Sequence, residues 1–261
     1  MNIIVCIKQV VAGDQVKLDP RTYSLVRSAE FSYINPFDLF ALEMAVQLKK
    51  EHSGSITAVT MGPKISEEVL WEALALGADR AVLLSDPRFA TSDTLATSYV
   101  LGMGIRKIGK FDLILCGVRT TDGDTGQVGP QLAEELNLPQ ITGVEKVERE
   151  KDLFHVERVS DGFREVLEVS GPALFTISPK GLVHLPSLIE IQDAFTRYSI
   201  EYLNLEDLKA DPAKVGSPGS GTWVEGLAPI AQEKSCVFIE GDLRQQAGLL
   251  LEKLIERNLL S

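Results

Sequence analysis

Cysteine, histidine and basic charge are all scarce in this 261-residue chain, and each shortage removes a class of function. Cys6, Cys116 and Cys236 lie far apart and form no CxxC pair, which gives neither a disulfide framework nor a thiolate metal site. The expectation is reduced, buried thiols in a cytoplasmic protein. His52, His155 and His184 are equally scattered, without companions at ligand spacing, and read as surface or packing residues. With 26 Lys and Arg against 37 Asp and Glu the net charge is −11, and no basic stripe is there to hold nucleic acid or an anionic membrane. No apolar run approaches the ~20 residues that span a bilayer, so no direct membrane insertion is expected. The opening MNIIVCIKQV is a strand pattern without the marks of a leader. Missing too are a Ser–His–Asp arrangement, paired carboxylates in an apolar frame, and a Walker or GxGxxG glycine pattern.

What is present is 44% apolar residues, enough for one large core, arranged over the first 140 residues in strand–helix alternation. Strands are expected at Ile3–Ile7, Ser55–Thr60, Ala81–Leu84 and Leu113–Cys116. Helices are expected from Asn35-Pro36 to Lys50, over Pro63–Leu76 with Gly77 closing it, from the Ser92/Asp93 cap to about Lys107, and over Pro130–Leu136. Such alternation implies an α/β fold with a doubly wound, mostly parallel sheet. A small hairpin through Asp19-Pro20 is expected to fill the long link before the first helix. After Pro139, the runs Thr142–Arg149, Leu153–Val159, Arg164–Val169 and Ala173–Ile177 read as an antiparallel extension. Residues 1–200 are thus assigned to one α/β domain, and 201–261 to a linker (the Gly/Ser/Pro stretch 210–222) and a C-terminal arm. That arm ends in an amphipathic helix over Asp242–Glu256, with Ala247, Leu250, Leu251 and Leu254 on one face.

The stretch Leu113–Pro139 carries the chemistry. An apolar strand breaks at Gly117 into a loop rich in Thr, Asp and Gly, which runs into a helix opened by Pro130. Unpaired main-chain donors and the positive end of a helix dipole suit the phosphates of a nucleotide. With the first strand central and the fourth beside it, their carboxyl ends form the switch point where doubly wound sheets bind ligands. There the amides of Gly123, Thr125, Gly126 and Gln127 are the phosphate candidates, while Asp122 and Asp124 suit ribose hydroxyls or the donor edge of a base. Thr94 and Thr97, at the start of another helix, are placed to meet a second phosphate. Binding groups without bond-making machinery favour a carrier or holder over a hydrolase.

The segments VCIKQV (5–10), INPFDLFALEMAVQLK (34–49), TAVTMGP (57–63), ALALGADRAVLLSD (73–86), DTLATS (93–98) and CGVRTTDGDTGQVGPQLAEELNLPQIT (116–142) together carry a family likeness. In their order and spacing the chain resembles the beta subunit of the electron-transfer flavoproteins over essentially its whole length. The resemblance implies a Rossmann-like, adenine-nucleotide-alpha-hydrolase-like fold and a heterodimer with an alpha subunit that carries its own FAD. Carried over by position, it implies nucleotide contacts at Cys6, at Asn35, Pro36, Phe37 and Asp38, and at Met61. The same carry-over continues along Gly117, Val118, Arg119, Asp122, Gly123, Asp124, Thr125, Gly126, Gln127 and Val128.

Two subclasses exist in that family. In simple carriers the beta nucleotide is a structural AMP. In electron-bifurcating members it is a second FAD, reduced by NADH, whose electrons part toward a high- and a low-potential acceptor. DGDTxQVGP and DTLATS resemble the bifurcating set, so FAD is expected in the crevice, with AMP as the alternative. NADH would then be a substrate, ferredoxin a possible low-potential acceptor, and any oxidoreductase activity a property of the heterodimer. Leu185, Pro186, Ser187 and Leu188, within a recognition segment at about 180–200, are implied to dock an acyl-CoA dehydrogenase-like flavoprotein. Two departures stand out. Bifurcating relatives read CGRQAIDGDT where this chain has Cys116-Gly117-Val118-Arg119-Thr120-Thr121-Asp122, and the lysine run that follows the recognition loop is replaced by IEIQDAFTRYSIE.

Overall fold

In the computed structural model, which describes residues 1–11, 17–18, 25–26, 32–225 and 236–260, the chain begins with the expected alternation. The order is β1 (Asn2–Cys6), β2 (Gln9–Val11), β3 (Lys17–Leu18), β4 (Leu25–Val26), β5 (Ser32–Ile34), α1 (Pro36–His52), β6 (Ser55–Met61), α2 (Glu67–Ala75), β7 (Arg80–Leu84), α3 (Thr94–Ile108), β8 (Leu113–Gly117) and α4 (Val128–Leu136). Then follow β9 (Gln140–Glu150), β10 (Leu153–Ser160), β11 (Phe163–Ser170), β12 (Ala173–Ile177), α5 (Leu188–Arg197), β13 (Ile200–Leu203), the short α6 (Leu205–Leu208) and α7 (Gly216–Gly219), and α8 (Leu243–Glu256). Residues 1–225 form one compact unit and residues 226–261 a second.

Nine strands of the first unit make one sheet in the order β11-β10-β9-β12-β8-β1-β6-β7-β13. β1 is central, as its β-branched run requires, since neither face of such a strand tolerates water. Ile3 and Val5 point into the core beneath α1 and α2, which contribute Ala41, Leu42, Ala45, Leu48, Val69 and Leu70. Ile4 and Cys6 point to the other side, onto α3 and α4 through Val100, Leu101, Ile105 and Leu132. β1 pairs in parallel with β6 on one side and β8 on the other, so the winding direction reverses between β1 and β8. Asp93 caps α3, accepting from the Ala96 N–H at 3.0 Å.

Four expectations need correction. Ala173–Ile177 does not extend an antiparallel edge: β12 inserts in parallel between β8 and β9, with all five residues buried. A five-residue run apolar but for Thr176, whose hydroxyl accepts from Gly143 N–H, is the composition of an interior strand, whichever way it points. Residues 210–222 are not a free linker. β13 pairs with β7, Gly216 N–H donates to Ser92 Oγ at 3.1 Å, and Asp93 gathers Gly221 N–H (2.8 Å), Thr222 N–H (2.9 Å) and the Thr222 hydroxyl (3.0 Å). The first compact unit runs to Glu225. Cys236 is exposed, although Cys6 and Cys116 are buried as expected. Asn35 occupies the N-cap position of α1 but its side chain caps nothing there.

Of the expected hairpin, β3 and β4 pair antiparallel through Lys17–Val26 and Leu18–Leu25, while Asp19-Pro20 lies outside the described residues. The terminal helix forms as α8, capped by Asp242, and buries none of its residues.

Candidate functional site

The corner where β1 and β8 end side by side is set by sequence register: Cys6 stands opposite Cys116. One residue on, Gly117 passes so close to the start of α1 that a Cβ there would lie 2.4 Å from Asp38 Oδ1 and 2.7 Å from Phe37 C. Glycine is required by that approach. Its N–H donates to Asp38 Oδ1 at 3.0 Å, and the Lys8 N–H donates to Asp38 Oδ2 at 2.8 Å. Burial pushes the Asp38 carboxyl up to about 7, against the pull of the Asn35 amide and the two main-chain donors. Hydrogen bonding with Cys6 and burial hold the Cys116 thiol well above its ordinary value, so it stays protonated.

Above this floor lies a cavity of about 280 Å³. Its far wall is the loop 118–127 and its ends are the N-termini of α3 and α4. The α4 N-terminus has no side-chain cap. Among the described residues the N–H groups of Thr125, Gly126, Val128 and Gly129 have no partner, and all four residues line the cavity. Gly126 takes a left-handed φ of +63° in the turn that leads into α4. Lys8 and Arg119 add positive charge to the lining, and the Arg119 guanidinium lies 5.0 Å above the Phe37 ring and 3.2 Å from Asp124. The Thr94 hydroxyl donates to Gln127 Oε1 at 3.0 Å, joining the two helix starts.

The structure brings Cys6, Asp38, Met61, Thr94, Thr97, Gly117, Val118, Arg119, Gly123, Thr125, Gly126 and Val128 into that lining. It sets Asn35, Pro36, Phe37, Asp122, Asp124 and Gln127 behind or beside it. Asn35 instead donates from Nδ2 to the Arg119 carbonyl at 2.9 Å, while its buried Oδ1 has no partner. Asp122 accepts from Lys8 Nζ and from Gly123 N–H, each at 2.7 Å. Burial opposes ionisation of Asp122, but the Lys8 ammonium outweighs it and holds the carboxyl below its ordinary value. Gly123 N–H is therefore spent, and Gln127 N–H makes a long contact of 3.5 Å to Thr125 Oγ1. Ile7, Lys8 and Thr120, which fall at the expected strand ends, also line the cavity, and residue-by-residue reading missed Ser92, Asp93, Leu101, Cys116 and Gly129. Lys8 had a signal, being the cation directly after the strand at the switch point.

Elsewhere, Leu185 and Leu188 are 70% and 85% exposed, beside exposed Ile189 and Leu182. Ser187 and Glu190 form a capping box that starts α5. Among the described residues no group of His, Cys, Asp and Glu is arranged for a metal ion, and no helix is long and apolar enough to cross a membrane.

Fold and cleft define an α/β protein of the doubly wound class whose switch point offers donors to an anion. The close approach at Gly117 and the unpartnered main-chain N–H groups of the cavity lining fit the needs of a bound phosphate. The family model described as "Electron transfer flavoprotein domain" matches residues 22–190. The chain is 40% identical, over the full length of both, to the electron transfer flavoprotein subunit beta of Thermoanaerobacterium thermosaccharolyticum. It is 39% identical, again over all of both chains, to the caffeyl-CoA reductase-Etf complex subunit CarD of Acetobacterium woodii. A third relative is Protein FixA of Sinorhizobium fredii, at 41% identity over 92% of this chain and 87% of that one. The chain belongs to the electron transfer flavoprotein family, in which it matches beta subunits from end to end.

Proposed function

We propose that this chain is an electron-carrying subunit that holds FAD at the carboxyl ends of β1 and β8. It works as a heterodimer with an alpha subunit carrying a further FAD. The observation behind the reading is one cavity lined by Thr125, Gly126, Val128 and Gly129, whose N–H groups are unpartnered among the described residues, and by Arg119. A flavin, when bound, supplies reversible electron-transfer chemistry. The chain's own residues bind and orient. Thr125, Gly126, Val128 and Gly129 offer N–H groups to phosphate oxygens, and Arg119 offsets their charge. Thr97 supplies a hydroxyl at the second helix start. Cys6, Met61, Leu101 and Cys116 form an apolar wall that excludes water. The uncapped N-terminus of α4 supports a phosphate; α3 opposite is already capped by Asp93, so Thr97 is its contribution.

A second reading, AMP in the same place, is favoured by the volume of about 280 Å³, small for a whole dinucleotide. Counting flavin in the purified heterodimer separates the two. Two FAD per heterodimer supports the first reading, and one FAD with one AMP supports the second.

The full reading is electron bifurcation: NADH is oxidised, one electron passes to an acyl-CoA dehydrogenase-like flavoprotein and the other to a low-potential acceptor such as ferredoxin. The DGDTxQVGP and DTLATS motifs support it. NADH-dependent ferredoxin reduction that requires the high-potential acceptor is the test. For docking, the exposed Leu185 and Leu188 support the recognition segment, and the unburied apolar positions of α8 support an arm that packs on the alpha subunit.

A further inference from the structure

The loop that carries the free donors has nothing apolar to hold it. From Arg119 to Gln127 it reads RTTDGDTGQ, nine residues without one hydrophobic side chain. Burial therefore cannot fix its shape, and conformational entropy opposes any single arrangement. Its order must come from polar ties to the scaffold. One is the Asn35 Nδ2 bond to the Arg119 carbonyl at its start, and another is the Thr94–Gln127 bond at its end. Between them stands the Lys8–Asp122 ion pair, at 2.7 Å.

This pair differs from an ordinary surface salt bridge. The Asp122 side chain is 4% exposed, lies outside the cavity lining, and also accepts from Gly123 N–H inside the turn that Asp124 N–H closes on the Thr120 carbonyl (3.1 Å), just before Thr125 and Gly126. Lys8 is fixed from its other end, where its own N–H is held by the buried Asp38. Strand β1, the start of α1 and the donor loop thus meet through one lysine. We propose that Lys8 and Asp122 are a positioning pair: Asp122 serves the nucleotide by holding the loop through Lys8, and makes no ligand contact itself. The inference rests on the nucleotide reading of the cavity and replaces the expectation that Asp122 meets a ribose or a base.

The experiment uses the heterodimer with its alpha subunit and compares K8Q, D122N, the K8Q/D122N double variant and K8R. Two readouts are taken: amide hydrogen exchange across residues 118–127 in heterodimer stripped of the beta nucleotide, and affinity of that stripped protein for AMP. A positioning pair makes exchange in the loop rise by about 10-fold in K8Q and in D122N, with the double variant no worse than either single and K8R near wild type. AMP affinity falls in parallel, again without additivity. Unchanged exchange in the single variants overturns the proposal. So does an AMP loss in D122N that adds to that of K8Q, because a carboxylate touching the ligand acts independently of Lys8. Wild-type heterodimer that binds neither AMP nor FAD in this cavity overturns the nucleotide reading instead, while the exchange data still decide whether the pair holds the loop.

Discussion

The Gly117 N–H and the Asp38 carboxylate meet at 3.0 Å, across the gap between the end of β8 and the first turn of α1. This contact fixes how near helix and strand approach at the mouth of the cavity. A methyl group has no room there: the Cβ of Gly117→Ala would fall 2.4 Å from Asp38 Oδ1, with Phe37 main chain behind it. Helix α1 must shift, at a cost of about 1–3 kcal/mol. Urea titration of the heterodimer gives the stability change, and nucleotide content should fall with it.

Asp38 ties stability to pH. Its carboxyl titrates at about 7 in the folded chain and at 3.8 ordinarily, so between these values the folded chain keeps a proton that the unfolded chain has released. Stability contributed by this group is full at low pH, falls as pH rises through that window, and is flat above it, a span of at most about 4 kcal/mol. Asp38→Asn removes the slope. In urea titrations at pH 5 and pH 8 the wild type should lose stability relative to the variant on going to the higher pH, and parallel curves would show that Asp38 is ionised throughout.

Asp93 caps α3 and holds residues 221–222 with the same carboxylate. Asp93→Ala gives up the cap, worth about 1 kcal/mol, and frees the end of the first unit. Limited proteolysis should then cut within residues 216–225 much faster than in wild type, with the central sheet intact. Equal cutting would place the hold elsewhere.

Leu185→Ala with Leu188→Ala acts on a surface, so stability should change by no more than about 0.5 kcal/mol. Flavin content should stay the same while the rate of electron delivery to an acyl-CoA dehydrogenase-like acceptor drops. Unaltered transfer would remove this segment from the docking face.

Much of this architecture was legible because its signals are local. The run at Ile3–Ile7, the caps at Asp93 and Asp242, and the glycine after Leu76 each act within a few residues, and the structure puts elements where they predict. The direction of β12 was not legible, since ALFTI suits an interior strand of either sense. α5 went unread because Leu188 and Ile189 face outward, though Ser187 with Glu190 is a capping box visible in the sequence. In the cleft, the composition of the 119–127 loop marks it as a polar turn between strand and helix, but the pairing of Lys8 with Asp122 joins residues 114 positions apart and leaves no mark in either neighbourhood.

The slot taken by β12 has a consequence for the order in which the protein can be assembled. Until Ala173–Ile177 has emerged and threaded between β8 and β9, the strand that bears the cleft has one raw flank of unpaired amides and carbonyls. A nascent chain shorter than that presents an open strand edge, and the corner at residues 117–129 gains its second flank only after segments much further downstream have been translated.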